Sequence, residues 1–219
     1  NPNRSVLELA DACSEYKNEV AAVASWDVVP YILNYRRSQL PIDYKSRHMV
    51  SAQVRCDSVT LNRALKTLGE KHPKLLFVEF CETDFYGHHG KWNEYLNAAH
   101  QNDAFIRKLW QYCQNDEFYK GNTTFIITCD HGRGKSLGLH INRGEVDPAA
   151  SWTEHGQHIA GSNQTWLVAF GKDIQHLGEV EGGKTIYTKQ IAPTIASILN
   201  VPFTNGDEQV ATPIYKILK

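Results

Sequence analysis

Thr124-Phe125-Ile126-Ile127-Thr128-Cys129, followed at once by Asp130-His131-Gly132-Arg133-Gly134, is the stretch from which the rest of the chain is read. A β-branched and aromatic run of this length predicts a buried parallel strand. Its stop at a glycine-flanked Asp-His pair places two metal-ligand residue types side by side at the strand's carboxyl end. Val20 to Trp26, Leu75 to Phe80 and Thr165 to Phe170 are apolar runs of the same kind.

Helical patterns lie between these runs. Ser5 opens a short one through Val6, Leu7 and Ala10, and Leu61, Ala64, Leu65 and Leu68 recur at helical spacing after Asp57, with Gly69 and Pro73 marking the stop. A long helix carries Trp92, Tyr95, Leu96, Ala99, Ile106, Leu109, Trp110 and Cys113 on one side. Tyr187 to Leu199 is a last helix with Ile191, Ile195, Ile198 and Leu199 inward and Pro193 near its first turn. Residues 34 to 49, with Arg36, Arg37, Lys45 and Arg47, show no period and read as a solvated surface excursion. Helices alternating with four strands predict an α/β fold, a mostly parallel sheet with helices on both faces, over residues 1–219 as a single domain. Right-handed crossovers then gather the strands' carboxyl ends on one edge, where ligands bind in such sheets.

With 219 residues, 42% hydrophobic and 21% charged, the chain has the size and composition of one well-cored globular domain. A net charge of -1 provides no general attraction to nucleic acid, so no nucleic-acid-binding patch is expected. No run approaches the about 18 apolar residues of a membrane span. The five cysteines, Cys13, Cys56, Cys81, Cys113 and Cys129, lack any CxxC spacing and read as free thiols.

Two further segments join the Asp130-His131 tip. Asp84-Phe85-Tyr86-Gly87-His88 lies in a polar loop after the Leu75 strand, where Gly87 lets both ligand-type side chains face one ion. Residues 132 to 164 form a long glycine-rich excursion carrying His140, His155 and His158, and a segment of that length is usually functional. Asp-His pairs at two neighbouring strand ends suggest two metal sites, and mixed oxygen and imidazole donors suit zinc or manganese, with iron as a further option.

Taken in order, Asp84 to His88, Thr128 to Gly132, and His155-Gly156 before the strand Trp166 to Gly171 resemble the metal-binding core of the alkaline phosphatase superfamily. Its members include nucleotide pyrophosphatase/phosphodiesterases, sulfatases and cofactor-independent phosphoglycerate mutases. Ile191-Ala192-Pro193-Thr194-Ile195-Ala196 is similar to that superfamily's C-terminal helix, with Gln190 where aspartate is usual.

The resemblance implies that Asp84, His88 and His155 hold one metal and that Asp130 and His131 supply two ligands of a second. His158 is the rival to His155 and His89 a weaker rival to His88. Two divalent ions are implied, zinc first and manganese second, acting on a small-molecule phosphate ester. Arg133 and Lys135, beside the tip, are substrate-binding candidates by position, and Phe85, Tyr86, Trp92 and Trp152 are candidates to stack a base or sugar. In the superfamily the second metal also takes an aspartate from an earlier strand, and a serine or threonine nucleophile follows it. Both are expected upstream of Asn1, so the chain reads as the C-terminal portion of a larger metal-dependent phosphoesterase or phosphodiesterase, in which two-metal hydrolysis by this portion alone is expected to be weak or absent. No local signal gives a compartment, and the resemblance to a superfamily with extracytoplasmic members is what suggests a periplasmic or secreted parent. An inactive metal-binding or interaction domain of the same fold is the alternative, with sulfatase and phosphomutase as sibling chemistries.

Overall fold

A computed structural model describes residues 3–44, 49–135, 151–204 and 210–219. The expectations placed on Lys45, Arg47 and His140 lie outside the described residues. Strand β1 (Val20–Ala24) is buried along its whole length and is the middle strand of a parallel sheet of order β2-β1-β3, between β2 (Ile42–Asp43) and β3 (Leu75–Glu79). Its small residues let two helical layers approach from opposite sides. Val20, Ala22 and Ala24 join a core with Leu7, Leu9 and Ala10 of α1 (Val6–Ala12) and Ala196 of α7 (Ile191–Ile198). Val23, on the other face, meets Leu61, Ala64 and Leu68 of α4 (Asp57–Lys71) and Phe105 and Leu109 of α6 (Trp92–Asn115). This period-two division of one strand between two layers is the physical content of an α/β fold covered on both faces.

Ser5 caps α1 as its position predicts, accepting a hydrogen bond from the Glu8 amide at 3.2 Å. Four other features depart from the sequence reading. The segment after Asn34 follows a short helix, α2 (Val29–Ile32), and itself holds a second, α3 (Tyr35–Ser38), and then β2, which pairs in parallel with β1 through Ala22↔Ile42 and Val23↔Asp43. Two residues are too few to show alternation. Arg37 of this segment is engaged with Glu8 at 2.7 Å. Helix α4 runs past Gly69 and ends at His72, whose left-handed φ of 46° closes it; Gly69 leaves room for the Tyr112 hydroxyl, which an added Cβ would approach to 3.0 Å.

The third departure is β4 (Thr124–Thr128), half-buried and paired antiparallel with β5 (Leu167–Gly171) in a second, two-stranded sheet, rather than buried among parallel neighbours. The chain between them returns at the end where β4 stops, so β5 begins there: Thr128 lies opposite Leu167 and Thr124 opposite Gly171. Phe125 and Phe170 stack across the pair, and the Trp110 ring of α6 meets both edge-on. Fourth, the expected loop after Phe80 is a helix, α5 (Glu82–His88). All five cysteines are free. Among the described residues no helix is long and apolar enough to cross a membrane.

Candidate metal centre

Three pieces of chain meet beyond the end of β4: helix α5, the tip at Asp130 to Lys135, and the segment from Ser151 to the start of β5. Backbone hydrogen bonds tie the last two together, from the Gly132 amide to the Ser162 carbonyl at 2.8 Å and from the Gly134 amide to the Glu154 carbonyl at 3.1 Å. Gly132 is required by this approach, since a Cβ there would stand 2.2 Å from the Gly161 carbonyl oxygen and 2.5 Å from that of Gln164.

Asp84 and His88 are four residues apart on α5 and therefore share one face of the helix. Asp84 Oδ2 lies 3.4 Å from His88 Nε2, and its Oδ1 lies 3.6 Å from His155 Nε2 and 3.7 Å from His131 Nε2. The His88 and His155 Nε2 atoms are 2.9 Å apart, and the His131 ring stacks on that of His155 with centroids 3.6 Å apart. His131 Nδ1 sits 2.9 Å from the Gly132 carbonyl, which can only accept, so Nδ1 donates there and Nε2 is the ring nitrogen turned toward Asp84. Burial pushes the pKa of His155 down, with His131, His88 and Arg133 adding to that and Asp84 opposing it, so the imidazole is neutral and available as a donor at pH 7.

Asp130 stands at the rim. Its side chain is 80% exposed, with Oδ2 3.5 Å from His131 Nε2 and Oδ1 accepting from the His131 amide. The structure thus gathers Asp84, His88, His131 and His155 in one cluster with Asp130 at its edge, where the sequence reading divided them into two sets. His158 is exposed, and His89 is turned away, its Nδ1 2.7 Å from the Phe85 carbonyl and its ring against Phe85. Lys135 is exposed. The Arg133 guanidinium is engaged by the Asp84 carboxylate and by the Thr153 carbonyl at 2.8 Å. Of the aromatic candidates, Trp92 and Trp152 meet edge-on at 5.0 Å beside Tyr95, while Phe85 and Tyr86 pack on each other.

A model of the metalloenzyme superfamily matches residues 19–202, most of the chain, including every member of this cluster. The chain belongs to the metalloenzyme superfamily. It is also 26% identical, over 142 residues, to the 2,3-bisphosphoglycerate-independent phosphoglycerate mutase of Gracilaria tenuistipitata var. liui; the match takes in 65% of this chain and 24% of that protein's length. The chain therefore spans about a quarter of the relative it matches.

The cluster can be tested as the metal-holding part of such a metalloenzyme. Ligands arranged tetrahedrally at the usual zinc-to-nitrogen and zinc-to-oxygen distances stand about 3.3–3.5 Å from one another. The 3.4 Å separation of Asp84 and His88 falls at that spacing, those of Asp84 from His155 and His131, 3.6 and 3.7 Å, are slightly wider, and the donor atoms of Asp84, His131 and His155 all lie within 4.8 Å of one another. One carboxylate and imidazoles presenting Nε2 form a donor set that fits zinc or manganese.

Two supports of this site escaped the sequence reading. Asp57, only 1% exposed, accepts from the Cys81 amide at 2.9 Å and the Glu82 amide at 3.0 Å, so it caps α5 from the start of α4. Glu82 returns the bond, accepting from the Asp57 amide at 3.1 Å. The only signal in the sequence was that Asp57 opens a helical run, while Glu82 read as part of a polar loop; their mutual approach is tertiary.

Proposed function

We propose that this chain carries the metal-holding part of an enzyme that hydrolyses or transfers the phosphoryl group of a small phosphate ester, with zinc or manganese ions as cofactors. The observation that carries the reading is the convergence of Asp84, His131 and His155 donor atoms, with His88 against His155, at one end of the sheets. The chemistry that divalent ions supply at such a centre is Lewis-acid polarisation of phosphoryl oxygens and activation of the attacking hydroxyl group. The residues of the chain provide the rest. Asp84 supplies the negative charge, the three imidazoles supply nitrogen donors, and the Gly132 carbonyl holds His131 through Nδ1 so that Nε2 is the atom left to ligate. Asp130, at the exposed rim, is the ligand candidate for a second ion, and the exposed Lys135 is the candidate contact for a substrate phosphate. Trp92 and Trp152, next to the segment bearing His155, form the aromatic side of the approach.

Hydrolysis in the phosphodiesterase or phosphatase manner is the first reading. Phosphomutase chemistry is the second, favoured by the 26% identity to a phosphoglycerate mutase over 142 residues. Both use phosphoryl transfer, and they differ in whether water or a second hydroxyl group receives the phosphoryl group. The test is release of inorganic phosphate and interconversion of phosphoglycerates, assayed side by side with zinc and with manganese on the chain extended upstream to include the expected nucleophile. Metal-dependent turnover that falls at least about 100-fold in His131→Ala is expected, because removing a ligand removes the site. Turnover unaffected by chelation or by His131→Ala would refute the proposal.

A further inference from the structure

We infer that Arg133 is a positioning residue that clamps together the three pieces of chain forming the metal centre, an inference that rests on the metal reading above. Its own backbone belongs to the tip after β4. Nη2 donates to the Asp84 carboxylate and, at 3.0 Å, to the Asp84 carbonyl on α5, while Nη1 donates to the Thr153 carbonyl at 2.8 Å, two residues before His155. One guanidinium thus joins the tip, the helix that carries Asp84 and His88, and the segment that carries His155. The side chain is 11% exposed, so these bonds lie largely out of water, and the charge on Asp84 is compensated beside three imidazoles.

Gly87 is the seat of this clamp. A Cβ at that position would stand 2.6 Å from Arg133 Cζ and 2.8 Å from its Nε and Nη2. A glycine inside a helix is otherwise unfavourable, and here it leaves the space through which the guanidinium reaches over α5. The planar fork of five donors suits three acceptors on two segments, which a lysine's single ammonium cannot match. Backbone bonds from Gly132 and Gly134 fix the main chain on both sides of Arg133, so the side chain starts from a defined position.

The experiment compares chelator-treated wild-type chain with Arg133→Met, Arg133→Lys and Gly87→Ala. Zinc affinity is measured by calorimetry, folding by circular dichroism, and amide exchange of residues 151–157 by mass spectrometry without zinc. Expected are a loss of zinc affinity of about 10- to 100-fold in Arg133→Met and Gly87→Ala, the range seen when a residue supporting a ligand is removed, a smaller loss in Arg133→Lys, and faster exchange over 151–157 in all three. Gly87→Ala is the discriminating variant, because alanine is the better helix former and a merely structural α5 would gain stability. Unchanged zinc affinity together with unchanged exchange in folded Arg133→Met or Gly87→Ala would overturn the clamp. Faster exchange in the variants, alongside a wild type that binds no zinc, would support the clamp's joining of the segments and sink the metal reading alone.

Discussion

Glu79 ends β3 with its carboxylate under the turn that follows β1, where Oε2 accepts from the Ser25 amide at 2.9 Å and the Trp26 amide at 3.0 Å. Burial pushes its pKa up from 4.5 to about 7; the two amides oppose the rise, and Asp57 and Asp130 add to it. The folded chain therefore holds this proton more tightly than the unfolded chain does. The associated stability is full below about pH 4.5 and is lost as the pH rises through about 7, a change on the order of 3 kcal/mol at one pKa unit per 1.4 kcal/mol. Glu79→Gln keeps an acceptor for both amides and removes the charge. Urea unfolding of chelator-treated protein between pH 5 and pH 8 is expected to give a flatter stability profile for the variant, which becomes the more stable form at pH 8. An unaltered slope would show that Glu79 titrates normally. At this scale the ligand-type residues were legible, because Asp84 and His131 declare their chemistry by type and by placement after apolar runs, and His155 by type and by placement in a long excursion before one. Arg133 was read as a substrate contact and Gly87 as a loop former. Which anion receives a guanidinium, and what a missing side chain makes room for, depend on segments that meet only after folding.

Helix α5 is seven residues long, contains a glycine and has no side-chain cap of its own. Its stability is borrowed: Asp57 caps it from α4 while accepting the Ser25 hydroxyl at 2.6 Å, and Glu82 caps α4 in return. Asp57→Ala leaves two buried amides and a hydroxyl group without their acceptor, a loss of about 2–4 kcal/mol from capping and unsatisfied donors together. Chemical denaturation is expected to show that loss, and amide exchange over residues 81–88 is expected to rise more than over α6. Equal effects on both helices would mean that Asp57 supports the core generally and not α5 in particular. The long elements were legible because their periodicity runs over many turns or a whole buried strand, as in α4, α6 and β1. The short ones, β2 and α5, were hidden. Two residues of strand cannot alternate, and a helix held by a distant carboxylate shows no cap in its own sequence. The antiparallel sense of β5 was likewise hidden, since a single apolar run has no direction until its partner is known.

In the whole molecule, β1 sits between two helical layers, while the segments that bear Asp84 and Asp130-His131 follow β3 and β4 and the one that bears His155 leads into β5. The donors come from positions as far apart as Asp84 and His155, so an ion bound there joins segments that the chain alone holds by a few backbone bonds and Arg133. Binding and folding are therefore linked. Zinc at about 100 times its dissociation constant is expected to stabilise the folded chain by about 2.7 kcal/mol, seen as a higher midpoint of thermal unfolding that is absent in His155→Ala. In the proposed centre imidazole and carboxylate groups, and not the five free cysteines, hold the ion. X-ray absorption of the zinc-loaded chain tests this most directly. Expected is a first shell of nitrogen and oxygen at about 2.0–2.1 Å with the outer-shell pattern of at least two imidazoles. A sulfur shell at about 2.3 Å, or a shell of water oxygens alone, would contradict it.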